Sequence, residues 1–177
     1  MSRLTIPVSE KDHVQGAKDA PVTLVEYGDY ECPYCGQAYP IVKKLQKNLG
    51  NKLRFIFRNF PLQEAHPHAL LAACAAEAAA LQGKFWEMHD LLYENQDALE
   101  PEDLLSYARD LKLNLTQFEN DISEETVTQR VKADFKSGLH SGVNGTPCFF
   151  INGVRHDAPW DYDSLSAALL ETIQTLA

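Results

Sequence analysis

The sequence predicts an α/β protein in which a β-α-β unit and a β-β-α unit enclose an all-helical block. Three observations predict it. Val22–Tyr27 and Leu53–Phe60 are short runs of apolar and β-branched residues separated by a segment of helical period. The middle of the chain is rich in Ala and Leu and contains no convincing strand. Near the C-terminus, Asn152-Gly153 parts two short extended runs, which is the strongest local signal for a hairpin.

Taken in order, VTLVEY (Val22–Tyr27) is apolar apart from Thr23 and Glu26 and reads as a buried strand. From Pro33 to Leu49, residues Tyr39, Val42, Leu45 and Leu49 share one helical face, and Gly50-Asn51 stops the helix. Pro40 falls inside it and is expected to kink it, at a cost of about 3 kcal/mol unless the fold uses the bend. Leu53–Phe60 is the second strand and Pro61 ends it, so that strand, helix and strand form a unit with a parallel pair. Helices are then expected from about His68 to Leu81, over Lys84–Glu94, from Pro101 onward, over LTQFENDI, and through SEETVTQRVKADFKSGLHSG. Val143–Pro147 has turn chemistry, Cys148–Ile151 and Val154–His156 should pair antiparallel, and Asp161 or Asp163 can cap a last helix ending near Thr175.

A chain of 177 residues can bury one sizeable core. Its net charge of −9 argues against nucleic acid and anionic membrane as partners and is explained by solubility. No apolar run is long enough for membrane insertion. The N-terminal MSRLTIPVSEKDHVQG has no apolar core of the kind a signal peptide needs. The expected location is therefore cytoplasmic, or periplasmic if a leader was removed.

The four cysteines are too few for a disulfide-stapled secreted scaffold. Cys32 and Cys35 alone lie close in sequence, in GDYECPYCGQAYP. A zinc site, an accidental pair and a redox couple compete for them. Zinc lacks its second half, since there is no other CxxC and Pro67 separates His66 from His68 awkwardly for chelation. His66 and His68 read better as helix-entry residues. The context favours thiolate chemistry. With the helix starting at Pro33, Cys32 becomes the N-cap and faces the unpaired amides and the positive dipole end, which favour the thiolate. Cys32 is then expected to be an exposed nucleophile, and Cys35, one turn further in, a buried resolving thiol. Glu26, six residues before Cys32, would be a proton relay if its strand is buried, or an ordinary surface carboxylate if it lies on an exposed edge. Cys74 reads as packing. Trp86, Phe85 and Trp160 read as core or rim aromatics.

EYGDYECPYC, with Glu26 ahead of the cysteine pair, the helical insertion and Thr146-Pro147 before a hairpin, resembles the DsbA-like branch of the thioredoxin superfamily. It is similar to the domains fused to some bacterial sodium/proton antiporters. The resemblance runs from about Val8 to Ala168. It implies a thioredoxin fold with residues 1–61 and 141–177 as the core and 62–140 as a helical cap, in one compact unit. It implies thiol–disulfide exchange on protein thiols and disulfides, with Cys32, Cys35 and Glu26 catalytic. Pro147 would be a cis-proline, Thr146, Pro147, Pro33 and Tyr34 would bind substrate, and neither cofactor nor metal is needed. Glutathione or a thioredoxin-type reductant would complete the cycle. Where the family commonly has Thr after the cis-proline, this chain has Cys148, either a buried thiol or one able to trap Cys35 in another disulfide. The Pro-Tyr dipeptide is also typical of glutaredoxins, whose potentials lie near −200 to −230 mV against about −120 mV for DsbA. A glutaredoxin-like reductase and a redox-switched binding or chaperone module stand as alternatives.

Overall fold

A computed structural model describes Met1–Ala177. Five strands, β1 (His13–Gly16), β2 (Val22–Gly28), β3 (Leu53–Asn59), β4 (Cys148–Ile151) and β5 (Val154–Arg155), form one sheet in the order β1-β3-β2-β4-β5. Every residue of β2 is buried, which is why its sequence is nearly continuous in apolar residues rather than alternating. β4 runs antiparallel to β2, with Glu26 opposite Phe149 and Tyr27 opposite Cys148. β4 and β5 form the expected hairpin, with Ile151 opposite Val154. Asn152 and Gly153 both take left-handed backbone, as a two-residue hairpin turn requires.

Seven α-helices complete the chain: α1 (Pro33–Leu49), α2 (Ala69–Ala80), α3 (Phe85–Glu94), α4 (Pro101–Asp110), α5 (Leu115–Asp121), α6 (Glu125–His140) and α7 (Tyr162–Leu176). α1 runs unbroken past Pro40, whose side chain faces solvent. Asn114 caps α5 by accepting from the Gln117 amide at 3.0 Å, and Asp161 caps α7 by accepting from Ser164 at 3.0 Å. α4 starts with Pro101 behind a reciprocal box in which Glu100 and Asp103 each bond the other's backbone amide.

The residues group into two compact units. The sheet unit comprises Met1–Gly28, Gln37–Arg58 and Ser137–Ala177. Its core includes Leu24, Val25, Tyr27, Phe55, Phe57 and Phe150, and α7 packs on β2 through this unit. Arg58 is buried here and satisfied by its neighbours. It donates to Asp12 at 2.8 and 3.0 Å, to the Ile6 and Pro7 carbonyls, and to the Tyr27 hydroxyl. The same contact holds the segment leading into β1, a strand that composition alone did not reveal.

The helical unit comprises Asp29–Gly36 and Asn59–Lys136. α2 is buried nearly all round, and its alanines let α3, α4 and α5 approach it closely. Asn59, Asp134 and Glu77 form a buried polar cluster in this unit. The Asn59 backbone and side-chain amides donate to Asp134 at 3.0 and 2.9 Å, and the side chain also reaches Glu77 at 3.0 Å. Burial pushes the Asp134 carboxyl up to about 6, against the pull of Arg130 and the Asn59 bonds. The segment Asp29–Gly36, which carries both cysteines of the motif, groups with the helices because its hydrogen bonds go there.

Candidate active site

The motif turn begins where β2 ends. Asp29, 1% exposed, directs its side chain back over its own turn and onward to the segment after β3. Its Oδ1 accepts from the Glu31 amide at 2.8 Å, and its Oδ2 accepts from the Leu62 amide at 2.9 Å. The His66 Nδ1–H donates to the same Oδ2 at 2.8 Å. The Asp29 carbonyl accepts from the Cys32 amide at 3.2 Å, closing the turn that aims Cys32.

The helix then starts as its sequence dictates. The Cys32 carbonyl accepts from the Gly36 amide at 3.1 Å, the first bond of α1, so Cys32 is the N-cap and Pro33 occupies the first helical position. Gln96 clasps the turn from the loop after α3. Its amide donates at 2.9 Å to both the Tyr30 and Cys32 carbonyls. A Cβ at position 36 would stand 2.0 Å from the Gln96 Oε1, so the glycine makes room for this clasp. Tyr30 anchors the turn from below by packing against Tyr93 and His89 at ring distances of 4.9 and 5.7 Å, with Trp86 5.0 Å from His89.

Cys35 is fully buried, but Cys32 is only 4% exposed, against the expectation of an exposed nucleophile. The turn that carries it is held at both ends, by Asp29 and by Gln96. Tyr34, 61% exposed, is the outward face of the motif, with Pro33 beside it also exposed. None of the four cysteines is in a disulfide.

Two histidines donate to carboxylates of this turn. His66 charges more readily than a free imidazole. Burial opposes the charge, but the Asp29 hydrogen bond and the negative charges of Asp29, Cys32 and Glu31 outweigh it. His68 is raised by hydrogen bonds to Glu31 and Glu100, which its two ring nitrogens meet at 2.8 Å each. Its backbone amide also donates to Glu31 at 2.6 Å. The two histidines therefore serve the turn rather than merely opening α2. Asp29, Gln96 and the roles of the histidines escaped the sequence reading because each acts on partners more than thirty residues away.

Glu26, Thr146, Pro147 and Cys148 lie in the sheet unit. Glu26 is 2% exposed in the middle of buried β2, which rules out the exposed-edge reading. The Thr146–Pro147 peptide is cis, and both residues are half-buried just before β4. Cys148 opens β4 opposite Tyr27, and burial pushes its thiol up, with Asp157 adding to the effect and Arg155 opposing it. Burial likewise pushes up the Cys74 thiol in α2.

A Cys-Pro-Tyr-Cys pair opening the helix after a buried strand, with a cis-proline ahead of a hairpin strand and helices inserted between, defines a thioredoxin-fold protein of the DsbA-like kind. The chain belongs to the thioredoxin family, whose profile, described as Thioredoxin, matches residues 8–171. Among solved structures it is similar to BdbD from Bacillus subtilis in its oxidised form, at 27% identity and a TM-score of 0.84 over 98% of both chains. A thioredoxin-like oxidoreductase from Silicibacter pomeroyi is also similar, at 27% identity and a TM-score of 0.83, over 96% of this chain and 95% of that one. The fold is shared as well with alpha-DsbA1 from Wolbachia pipientis, at 20% identity and a TM-score of 0.81, over 97% and 95% of the two chains. In sequence, 168 residues are 49% identical to Na(+)/H(+) antiporter NhaA 3 from Salinispora tropica. The match covers 94% of this chain and 26% of that protein, so the chain spans about a quarter of its relative's length.

Proposed function

We propose that this chain catalyses thiol–disulfide exchange on protein substrates through a Cys32–Cys35 couple. The observation that carries the reading is the position of Cys32 as N-cap of α1, where its carbonyl holds the first helical bond and the dipole favours a thiolate. In the reducing direction, the Cys32 thiolate attacks a substrate disulfide. One substrate sulfur leaves as a thiolate and a mixed disulfide forms. Cys35 loses its proton, with Glu26 as the relay, and attacks the Cys32 sulfur. The second substrate thiol leaves, and the domain ends oxidised with two electrons passed to the substrate. Glutathione or a thioredoxin-type dithiol restores the reduced pair. In the oxidising direction the same steps run backward.

The cis-Pro147 and Thr146 are assigned to holding an extended substrate segment, in the manner of strand addition, and Pro33 and the exposed Tyr34 to meeting it beside the motif. Turnover of insulin disulfides tests the reading. Reduction that depends on Cys32 supports it, and reduction that survives Cys32→Ser refutes it. A second reading, a redox-switched binding module without turnover, draws on the low exposure of Cys32. It predicts no turnover but a change in partner binding between the reduced and oxidised states. A glutaredoxin-like reductase fits less well, because α2 to α6 add far more chain than that fold carries.

A further inference from the structure

Asp29 joins two groups that the sequence keeps far apart. Its carbonyl receives the Cys32 amide at 3.2 Å, while its buried carboxylate receives His66 at 2.8 Å. Asp29 thus bridges His66 and the backbone of Cys32 within one compact unit, and the negative charge of Cys32 is among those that favour the imidazolium. The Asp29 bond also settles the tautomer. With Nδ1 carrying the proton given to Asp29, Nε2 is the nitrogen that gains and loses a proton. The imidazole side chain is 20% exposed, enough to exchange that proton with water.

We propose that Asp29 and His66 form a redox-linked proton site, in which the His66 imidazolium stabilises the Cys32 thiolate and releases its proton when Cys32 enters a disulfide. The inference rests on the reading of Cys32 as the reactive thiol, and it assigns His66 as a positioning residue acting through its charge. The balance of the step is simple. Oxidation of the pair by a substrate disulfide sends two electrons to that substrate and removes the thiolate charge at Cys32. The imidazolium loses one of its anionic neighbours, and its Nε2 proton passes to solvent. Reduction takes a proton back.

The groups that set the behaviour of His66 are few. Asp29 at the end of β2 and Glu31 and Cys32 in the turn are its anionic neighbours. Glu31 is itself held by His68, which also binds Glu100 at the start of α4. Of these, only Cys32 changes charge with redox state. A shift of His66 between the two states therefore reports on that sulfur and on nothing else in the cluster.

The first experiment is an NMR titration of His66 in the reduced and the oxidised chain, which needs no substitution. The expected result is a higher midpoint in the reduced form. An identical midpoint in both forms overturns the proposal. The second experiment is the pH profile of Cys32 alkylation by iodoacetamide in His66→Gln, whose side-chain amide can still donate to Asp29. Because one pH unit in a midpoint is tenfold in thiolate fraction, alkylation at pH 6 should slow about three- to tenfold, with the difference vanishing near pH 9. An unchanged profile overturns the proposal. Insulin turnover, measured beside these, separates the two readings. Absent turnover with the coupling intact removes the enzymatic reading alone, and intact turnover without the coupling removes the proton site alone.

Discussion

Cys32 and Cys35 occupy one backbone setting, while Cys74 and Cys148 occupy another, although all four side chains are buried. The first pair sits at the start of α1, where amides lack helical partners and the carbonyl of Cys32 takes the first helical bond. Cys74 lies in the middle of α2, whose backbone is satisfied by the helix itself, and Cys148 opens a strand paired with β2. For these two, burial works against the thiolate. The difference teaches that accessibility is the wrong variable for ranking these thiols. Local charge and position at a helix start separate them, and only one pair has a carboxylate and a histidine arranged around its turn.

The comparison breaks most easily at Cys32. Cys32→Ser should reduce insulin turnover to background, whereas Cys74→Ala and Cys148→Ala should leave it intact. Next in size, Cys35→Ser should attack substrate normally and then stall. Intact-mass measurement should find one mixed disulfide per chain, released by dithiothreitol. If no adduct accumulates, Cys35 is not the resolving thiol. Glu26→Gln tests the proton relay and should slow resolution by about 10²-fold, with little change in the initial attack. Stopped-flow kinetics that slow both steps equally would contradict this.

Smaller effects sharpen the comparison. Cys74→Ala and Cys148→Ala should each cost about 1 kcal/mol in denaturant unfolding, the scale of removing one buried atom. At pH 7.5 both thiols should alkylate far more slowly than Cys32, because burial raises them. Gly36→Ala gains helix propensity of about 1 kcal/mol but displaces the Gln96 side chain, whose two carbonyl bonds are worth a similar amount. Stability should therefore change by less than about 1 kcal/mol. Adding Gly36→Ala to Gln96→Ala should then stabilise the chain, because the clasp is already lost.

The outline of the fold was legible because its elements carry local signatures. Val22–Tyr27 has no room for a second, solvent-facing side, Asn152-Gly153 can hardly be other than a tight turn, and the Ala-rich stretch has one good backbone state. β1 was not legible, since HVQG is short and lies on a sheet edge, with only its pairing to β3 to define it. Among the candidate residues, the cysteines, Glu26 and Pro147 were visible as a spaced pattern. The clasp of Gln96 and the bond between Asp29 and His66 were not, because each joins segments separated by a helix or a strand. Cys32 was expected to be exposed and is 4% exposed.

The most direct test of the account is the reduction potential of the Cys32–Cys35 couple, measured in glutathione or dithiothreitol buffers with the redox state read by alkylation and mass. A helix N-terminus stabilises the reduced form, and the His66 imidazolium does so too under the proposed proton site. The account therefore predicts a reversible two-electron couple more oxidising than that of thioredoxin, between about −120 and −230 mV. The absence of any reversible couple between these two sulfurs would contradict it.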